Sequence, residues 1–236
     1  MDTIRKFDFD AGEVLLIDKP YQWTSFDVIK KLRNTIRIKK IGHAGTLDPL
    51  ATGLLIVCTG KFTKKINEFQ DQGKVYTGII EIGKTTPSYD LETEFDSELG
   101  FENITKEALD IAVKPLIGNI EQLPPVYSAI KIGGERAYKK ARRNEEVKMP
   151  PREVSVNEFN FTKVELPEIH FEIKCSKGTY IRSLAHDLGQ NLGCGAHLKT
   201  LKRTAIGDFN VQDAYSLDEF IEISKESIEV RNKSKE

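Results

Sequence analysis

Asp48 is the only acid in a stretch of unusual composition, Gly42-His43-Ala44-Gly45-Thr46-Leu47-Asp48-Pro49-Leu50-Ala51-Thr52-Gly53-Leu54-Leu55. The glycines permit backbone angles that other residues resist, so the stretch reads as a shaped loop. Pro49 stiffens the chain and biases Asp48 towards extended angles. A basic segment from Ile36 to Lys40 precedes the loop and an apolar run, Leu54 to Cys58, follows it. A carboxylate restrained beside positive charge suits chemistry on an anionic substrate. The competing reading is an Asx-type turn, in which Asp48 only accepts backbone N–H groups. That reading suits a lone Asp-Pro pair, but the order of all fourteen residues is far more specific.

A second stretch, Cys175-Ser176-Lys177-Gly178-Thr179-Tyr180-Ile181-Arg182, leaves a strand and enters a helix through a glycine turn. The planar fork of Arg182 is suited to pairing with a carboxylate and fixing its orientation. Read alone, Arg182 and Lys177 are first-turn surface residues. The Asp48 loop, however, resembles the catalytic loop of the TruB-type tRNA pseudouridine synthases, Gly-His-x-Gly-x-Leu-Asp-Pro-x-Ala-x-Gly. The second stretch resembles that family's Cys-x-x-Gly-Thr-Tyr-[Ile/Val]-Arg.

The resemblance implies isomerisation of uridine 55 in the T loop of tRNA, with Asp48 as the catalytic carboxylate and Arg182 as its partner. It places Tyr76, in Lys74-Val75-Tyr76, against the target base as a stacking ring and proposed proton acceptor; by pattern alone Tyr76 is a core aromatic. Tyr180 and Leu201 match walls of the uracil pocket. Asp90 matches an acid that helps hold the arginine, though by itself it is one more charge in an acidic block. His43 matches a ring that stacks within the RNA loop in place of the extruded base, a role suited to single-stranded RNA. Lys19 lies in Leu15-Leu16-Ile17-Asp18-Lys19-Pro20, which resembles the family's opening motif and is expected to contact substrate. Gln22 and Thr93 stand where glycine is usual, so the turn at Gln22 is expected to differ locally.

The implied reaction needs no cofactor and no metal. His43, His170, His186 and His197 have no metal-ligand spacing, and Cys194-Gly195-Ala196-His197 is too weak to indicate zinc. Gly60-Lys61 lacks the upstream glycine of a P-loop. Whether Asp48 attacks the sugar, attacks the base or removes a ribose proton is left open by the residues. A glycoside hydrolase would need paired carboxylates, but the acids cluster far along the chain from the glycine loop. An RNA-folding protein without chemistry is the other alternative, and intact Asp48, Tyr76 and Arg182 argue against it.

The formal net charge is −1 over 236 residues, so bulk charge does not announce a nucleic-acid binder. Its distribution is more telling. Lys30, Lys31, Arg33, Arg37, Lys39 and Lys40 have no acid among them, and residues 131 to 143 are strongly basic. Residues 90 to 110 are strongly acidic. Such blocks can build a basic face within a near-neutral protein, or be ordinary solvated surfaces. Cys58, Cys175 and Cys194 make no disulfide framework and fit a reducing compartment. No segment resembles a signal peptide or a membrane span. A cytoplasmic monomer with no membrane contact, engaging tRNA through its T stem-loop, is the expected form.

The elements that must position these residues follow from periodicity. Val14 to Ile17 and Leu54 to Thr59 read as buried strands. Thr24 or Ser25 caps a helix with Phe26, Ile29, Leu32 and Ile36 on its apolar face. Lys74 to Gly83 alternates as a strand carrying Tyr76, Gly78, Ile80 and Ile82 on one face. Thr105 to Leu116 reads as a helix. A Gly133-Gly134 turn leads to a basic helix, Glu135 to Arg143, within a proline-bounded insertion. Ile169, Phe171, Ile173 and Cys175 share a strand face. Ile181, Leu184 and Leu188 align on a helix ending at Gly193, and Ser216 with Glu219 forms a capping box for a last helix.

Mixed strands and helices without a βαβ rhythm predict an α+β fold, one pseudouridine-synthase-like domain with a mixed, largely antiparallel sheet flanked by helices. The catalytic domain is expected over residues 1–207. Within it, the insertion 124–151 would clamp RNA phosphates through Lys139, Lys140, Arg142 and Arg143. Residues 208–236 are expected to be a helix and a fraying tail, too short for an independent domain such as the PUA type.

Overall fold

A computed structural model describes residues 6–143 and 145–233. The extreme end of the expected tail, 234–236, lies outside the described residues. Along the chain come β1 (Val14–Lys19), α1 (Ser25–Ile36), β2 (Ile41–Ala44), β3 (Ala51–Thr59), α2 (Ile66–Gln70) and β4 (Lys74–Ile82). Then follow α3 (Lys106–Val113), β5 (Gly118–Gln122), α4 (Ala137–Ala141), β6 (Arg152–Glu165) and β7 (Glu168–Cys175). The last are α5 (Ile181–Leu192), β8 (Ala196–Ile206) and α6 (Leu217–Lys233). Contacts divide the chain into two compact units, residues 1–74 with 202–236, and residues 75–201.

In the first unit β3 is the central strand. β1 pairs with it antiparallel from Val14↔Cys58 to Lys19↔Gly53, and β2 from Ile41↔Thr59 to Ala44↔Ile56. The apolar run Leu54 to Cys58 is continuous because both faces of β3 are covered. Leu55 and Val57 join Leu15 and Ile17 against Ile29, Leu32 and Ile36 of α1 and Phe220 of α6. Leu54, Ile56 and Cys58 face the other way, towards Phe62, Ile66 and Phe69. β1 alternates between buried and half-buried positions rather than being buried throughout.

Helix α1 begins with a capping box between Thr24 and Asp27. Its buried positions are Ser25, Val28, Ile29, Leu32 and Ile36. Phe26 was expected on that face but is 62% exposed, because the helix turns Ser25 inward where its hydroxyl has backbone partners. The expected capping box at Ser216 and Glu219 forms at the head of α6.

In the second unit the strand order is β8 (its residues 196–201), β4, β7, β6, β5. The β6–β7 and β5–β6 ladders are antiparallel, and a single parallel bridge joins Asp90 to Leu198. This bears out the α+β reading. Ile169, Phe171, Ile173 and Cys175 are buried on one face of β7 as the alternation requires. The basic helix is shorter than expected. Lys131–Ile132 and Glu135–Arg136 form a small hairpin around the two glycines, and only Ala137–Ala141 is helical. Gly133 and Gly134 both adopt positive φ, which suits a tight hairpin turn and delays the helix. No helix among the described residues is long and apolar enough to cross a membrane.

Candidate active site

The Asp48 loop is narrower than its composition indicates. Ile41–Ala44 is strand, so His43 lies in β2 and the irregular segment runs only from Gly45 to Leu50. Gly45 has φ 88, which turns the chain out of the strand. Leu47 is 3% exposed and anchors the loop in the protein. Ser25 clamps that anchor from both sides: its Oγ accepts from Leu47 N–H at 2.9 Å and donates to Leu47 C=O at 3.2 Å. Ala51 N–H donates to Asp48 C=O at 3.1 Å, closing the turn. Asp48 itself is half-buried.

Two buried cations hold the ends of this loop. Arg203, 1% exposed, donates from Nη2 to Gly45 C=O at 3.0 Å and from Nε to Leu54 C=O at 2.8 Å. The strand carrying Arg203 passes so close that a Cβ at Gly53, whose φ is 102, would stand 2.3 Å from Arg203 C=O. Lys19 is fully buried and donates from Nζ to Pro20 C=O at 3.0 Å, Trp23 C=O at 2.5 Å and Pro49 C=O at 3.3 Å. Burial pushes the Lys19 ammonium down to about 8, opposed by the nearby Asp48 carboxylate. Gln22 takes the left-handed conformation, φ 64, that glycine adopts readily. In this turn the Pro20 and Trp23 carbonyls reach Lys19.

Lys19, expected to contact substrate, has its side chain turned into the protein. The side chain has no exposure, and its ammonium joins the Pro20–Trp23 turn to Pro49, directly after Asp48. His43 is half-buried, and burial with the nearby Arg203 charge lowers its imidazole below the ordinary range, favouring the neutral ring.

The second unit holds the remaining residues. Arg182 is the second residue of α5 and is 3% exposed. Its Nη1 donates to Ser88 C=O at 3.1 Å, and its Nε lies 3.5 Å from Asp90 Oδ2. Asp90, 5% exposed, thus lies beside the arginine, in keeping with the expectation that it helps hold that side chain. Thr86 and Ser88 hydroxyls donate to its carbonyl, and its Oδ1 accepts from Glu92 N–H at 2.9 Å. Between Ser88 and Asp90, Tyr89 has φ 63 and stacks on His186 with centroids 3.9 Å apart. His186 is one helical turn beyond Arg182, so this stack ties the 88–90 segment to the helix that carries the arginine.

Tyr180, half-buried, precedes α5. Its N–H donates to Gln122 Oε1 at 2.8 Å and its carbonyl accepts from Gln122 Nε2 at 3.1 Å. Arg152 covers its ring at 5.5 Å. Tyr76, 8% exposed, lies on the inward face of β4, and Leu201 is half-buried in β8. In the basic insertion, Lys139 is exposed and Lys140 half-buried. Arg142 pairs with Glu92 at 2.7 Å, and Arg143 forks onto Glu135 at 2.7 Å while also reaching Glu145 at 2.7 Å. Phosphate binding by these arginines would replace existing ion pairs.

Three supports escaped the sequence reading: Arg203, Gln122 and Ser25. A buried arginine in a strand is the only one with a visible signal, since Thr200-Leu201-Lys202-Arg203 places a charge at an inward-facing position. No metal-binding group of His, Cys, Asp or Glu occurs among the described residues.

Residues 33–181 match the model of the TruB family pseudouridylate synthase N-terminal domain, and residues 182–232 match the tRNA pseudouridylate synthase B C-terminal domain. The chain is 52% identical over 222 residues to tRNA pseudouridine synthase B of Flavobacterium johnsoniae, covering 91% of this chain and 97% of that protein. It is 49% identical over 221 residues to the protein of the same name from Phocaeicola vulgatus, covering 91% and 94%. A solved chain from a Cbf5-Nop10-Gar1 complex aligns with TM-score 0.71 and 26% identity, over 91% of this chain and 54% of that one. This chain thus spans about half the length of that one. The motifs, the fold and these relatives agree: the chain belongs to the TruB family of pseudouridylate synthases, a family of isomerases.

Proposed function

We propose that this protein isomerises uridine 55 in the T loop of tRNA to pseudouridine, with Asp48 as the catalytic carboxylate. The observation that carries this reading is the clamped Asp48 turn, in a chain about half identical to a protein named tRNA pseudouridine synthase B. The target is a base inside a folded RNA, so it must be extruded before any group can act on it. His43, flat and neutral, is suited to the stack the base leaves, and Tyr76, Tyr180 and Leu201 to enclosing the extruded uracil.

In the reaction the N1–C1′ bond breaks, the uracil turns while captive, and C5 bonds to C1′. The proton lost from C5 is balanced by one gained at N1, so substrate and product are isomers. Asp48 acts at the glycosidic centre, Tyr76 accepts the proton, and Arg182 assists the carboxylate. Ser25, Lys19 and Arg203 are positioning residues, since they hold the backbone of the loop and not the substrate. Lys139, Lys140, Arg142 and Arg143 meet phosphates of the T stem, which fixes register without reading bases. The protein acts as a cytoplasmic monomer. Incubating a T-arm stem-loop RNA with the protein alone is expected to yield pseudouridine at the position matching 55. Bound but unconverted RNA would refute the activity, and conversion elsewhere would refute the target.

A further inference from the structure

The first unit carries a basic concavity for which the uridine reading has no use. A cavity of about 490 Å³ is walled by Arg37, Lys39, Lys40 and Lys61, with Asp10 as its acid and Ile38 and Gly60 beneath. All four cations are exposed, and Lys39, Lys40 and Lys61 make no ion pair among the described residues. In sequence the first three belong to a run that could be an ordinary solvated face. Lys61 arrives from a different segment, and that is what makes a pocket.

The walls are fixed by backbone geometry. Arg37 ends α1 in the left-handed conformation, φ 51, with its N–H bonded to Arg33 C=O. This turn sends Ile38 into the core, at 4% exposure, and leaves Lys39 and Lys40 outside. Gly60 N–H donates to Lys40 C=O at 2.9 Å, and a Cβ on Gly60 would stand 2.4 Å from Asp10 C=O. Lys61 N–H donates to Ala11 C=O at 3.3 Å. Three chain segments are thus pinned together, so the backbone beneath the cations is already in place and only their side chains must be ordered on binding.

We propose that this pocket grips a backbone phosphate of the substrate RNA at a distance from the target uridine. The inference rests on the proposed RNA substrate. The four residues of β2, which join the pocket to the Asp48 loop, span about 13 Å. A phosphate held at Lys40 is therefore several nucleotides from the reacting base, and it positions the RNA without reading its sequence. Free inorganic phosphate presents the same chemistry, so the test must separate the two sources.

The triple variant Lys39→Gln, Lys40→Gln, Lys61→Gln of the full chain, checked for unchanged Tm, is titrated with tRNA transcript across roughly 0.05 to 0.5 M salt. The log–log salt slope is expected to fall by about 1, with affinity about eightfold weaker at 0.1 M salt for one lost phosphate contact. The loss is expected in affinity and not in the saturated single-turnover rate. An unchanged slope and affinity overturn the pocket while leaving the uridine reading intact. Inorganic phosphate that binds the wild-type protein but not the variant, with RNA affinity unaltered, makes the pocket a free-anion site and overturns the RNA contact. A wild-type protein that binds tRNA but makes no pseudouridine refutes the proposed activity, and the slope still decides the pocket.

Discussion

Replacing Lys19 with methionine separates a buried clamp from a substrate contact. The side chains are similar in length, so the core is not emptied. The ammonium is lowered from its ordinary value of 10.5 to about 8, which corresponds to roughly 3 kcal/mol of cost in keeping it charged. Methionine relieves that cost but leaves the Pro20, Trp23 and Pro49 carbonyls without their donor, at about 1 to 3 kcal/mol each before relaxation. The two effects largely offset, so a net loss of about 2 kcal/mol is expected. For a chain of this size that lowers Tm by about 4 to 8 °C. Catalysis has no such offset. Pro49 C=O, directly after Asp48, loses its anchor, and Asp48 loses a neighbouring cation. A transition-state loss of about 1.5 to 3 kcal/mol corresponds to a rate roughly tenfold to a hundredfold lower. Single-turnover conversion at saturating protein, with RNA affinity and Tm measured in parallel, reads all three quantities. A wild-type rate would remove the clamp from the account. An affinity loss equal to the rate loss would restore Lys19 as a substrate contact.

Arg182→Lys is expected to slow conversion more than it weakens RNA binding, because an ammonium lacks the fork that serves Ser88 and Asp90; equal losses would make Arg182 mainly an RNA contact. His186→Ala is expected to lower the saturated rate about tenfold by releasing Tyr89, with His186→Phe restoring most of it through the ring stack. Failure of phenylalanine to rescue would refute the stack as the support. Asp187 is pushed up to about 6 by burial, so the folded state holds a proton that the unfolded chain releases between about pH 4 and 6. The wild-type protein therefore loses up to about 3 kcal/mol as pH rises through that window. Asp187→Asn removes this dependence and is expected to raise Tm at pH 7 while matching wild type near pH 4; equal pH profiles of Tm would contradict it.

Patterns that alternate or recur in sequence were legible. The strand faces of β4 and β7, a cap at Thr24 or Ser25, the capping box at Ser216 and the stop at Gly193 all follow from spacing and residue type. The start of the Asp48 loop was not. Glycine at 42 and 45 suggested irregular backbone, yet pairing with β3 carries His43 in a regular strand. Phe26 looked like core because an apolar residue at helical spacing cannot reveal that its neighbour Ser25 has a buried partner in Leu47. The supports of the site were hidden for a related reason. Lys19 and Arg203 act through carbonyls brought close only by folding, and charged residues offer no periodicity that distinguishes a buried clamp from a solvated surface.

Asp48 is the group on which the proposed chemistry depends. The most direct measurement is pseudouridine formation in a T-arm stem-loop by Asp48→Asn protein, with RNA affinity determined on the same preparation. Asparagine preserves size and the turn but cannot supply a carboxylate. Binding within about threefold of wild type, less than 1 kcal/mol, with no pseudouridine formed, is the predicted result. Pseudouridine formed at a rate near wild type would contradict it.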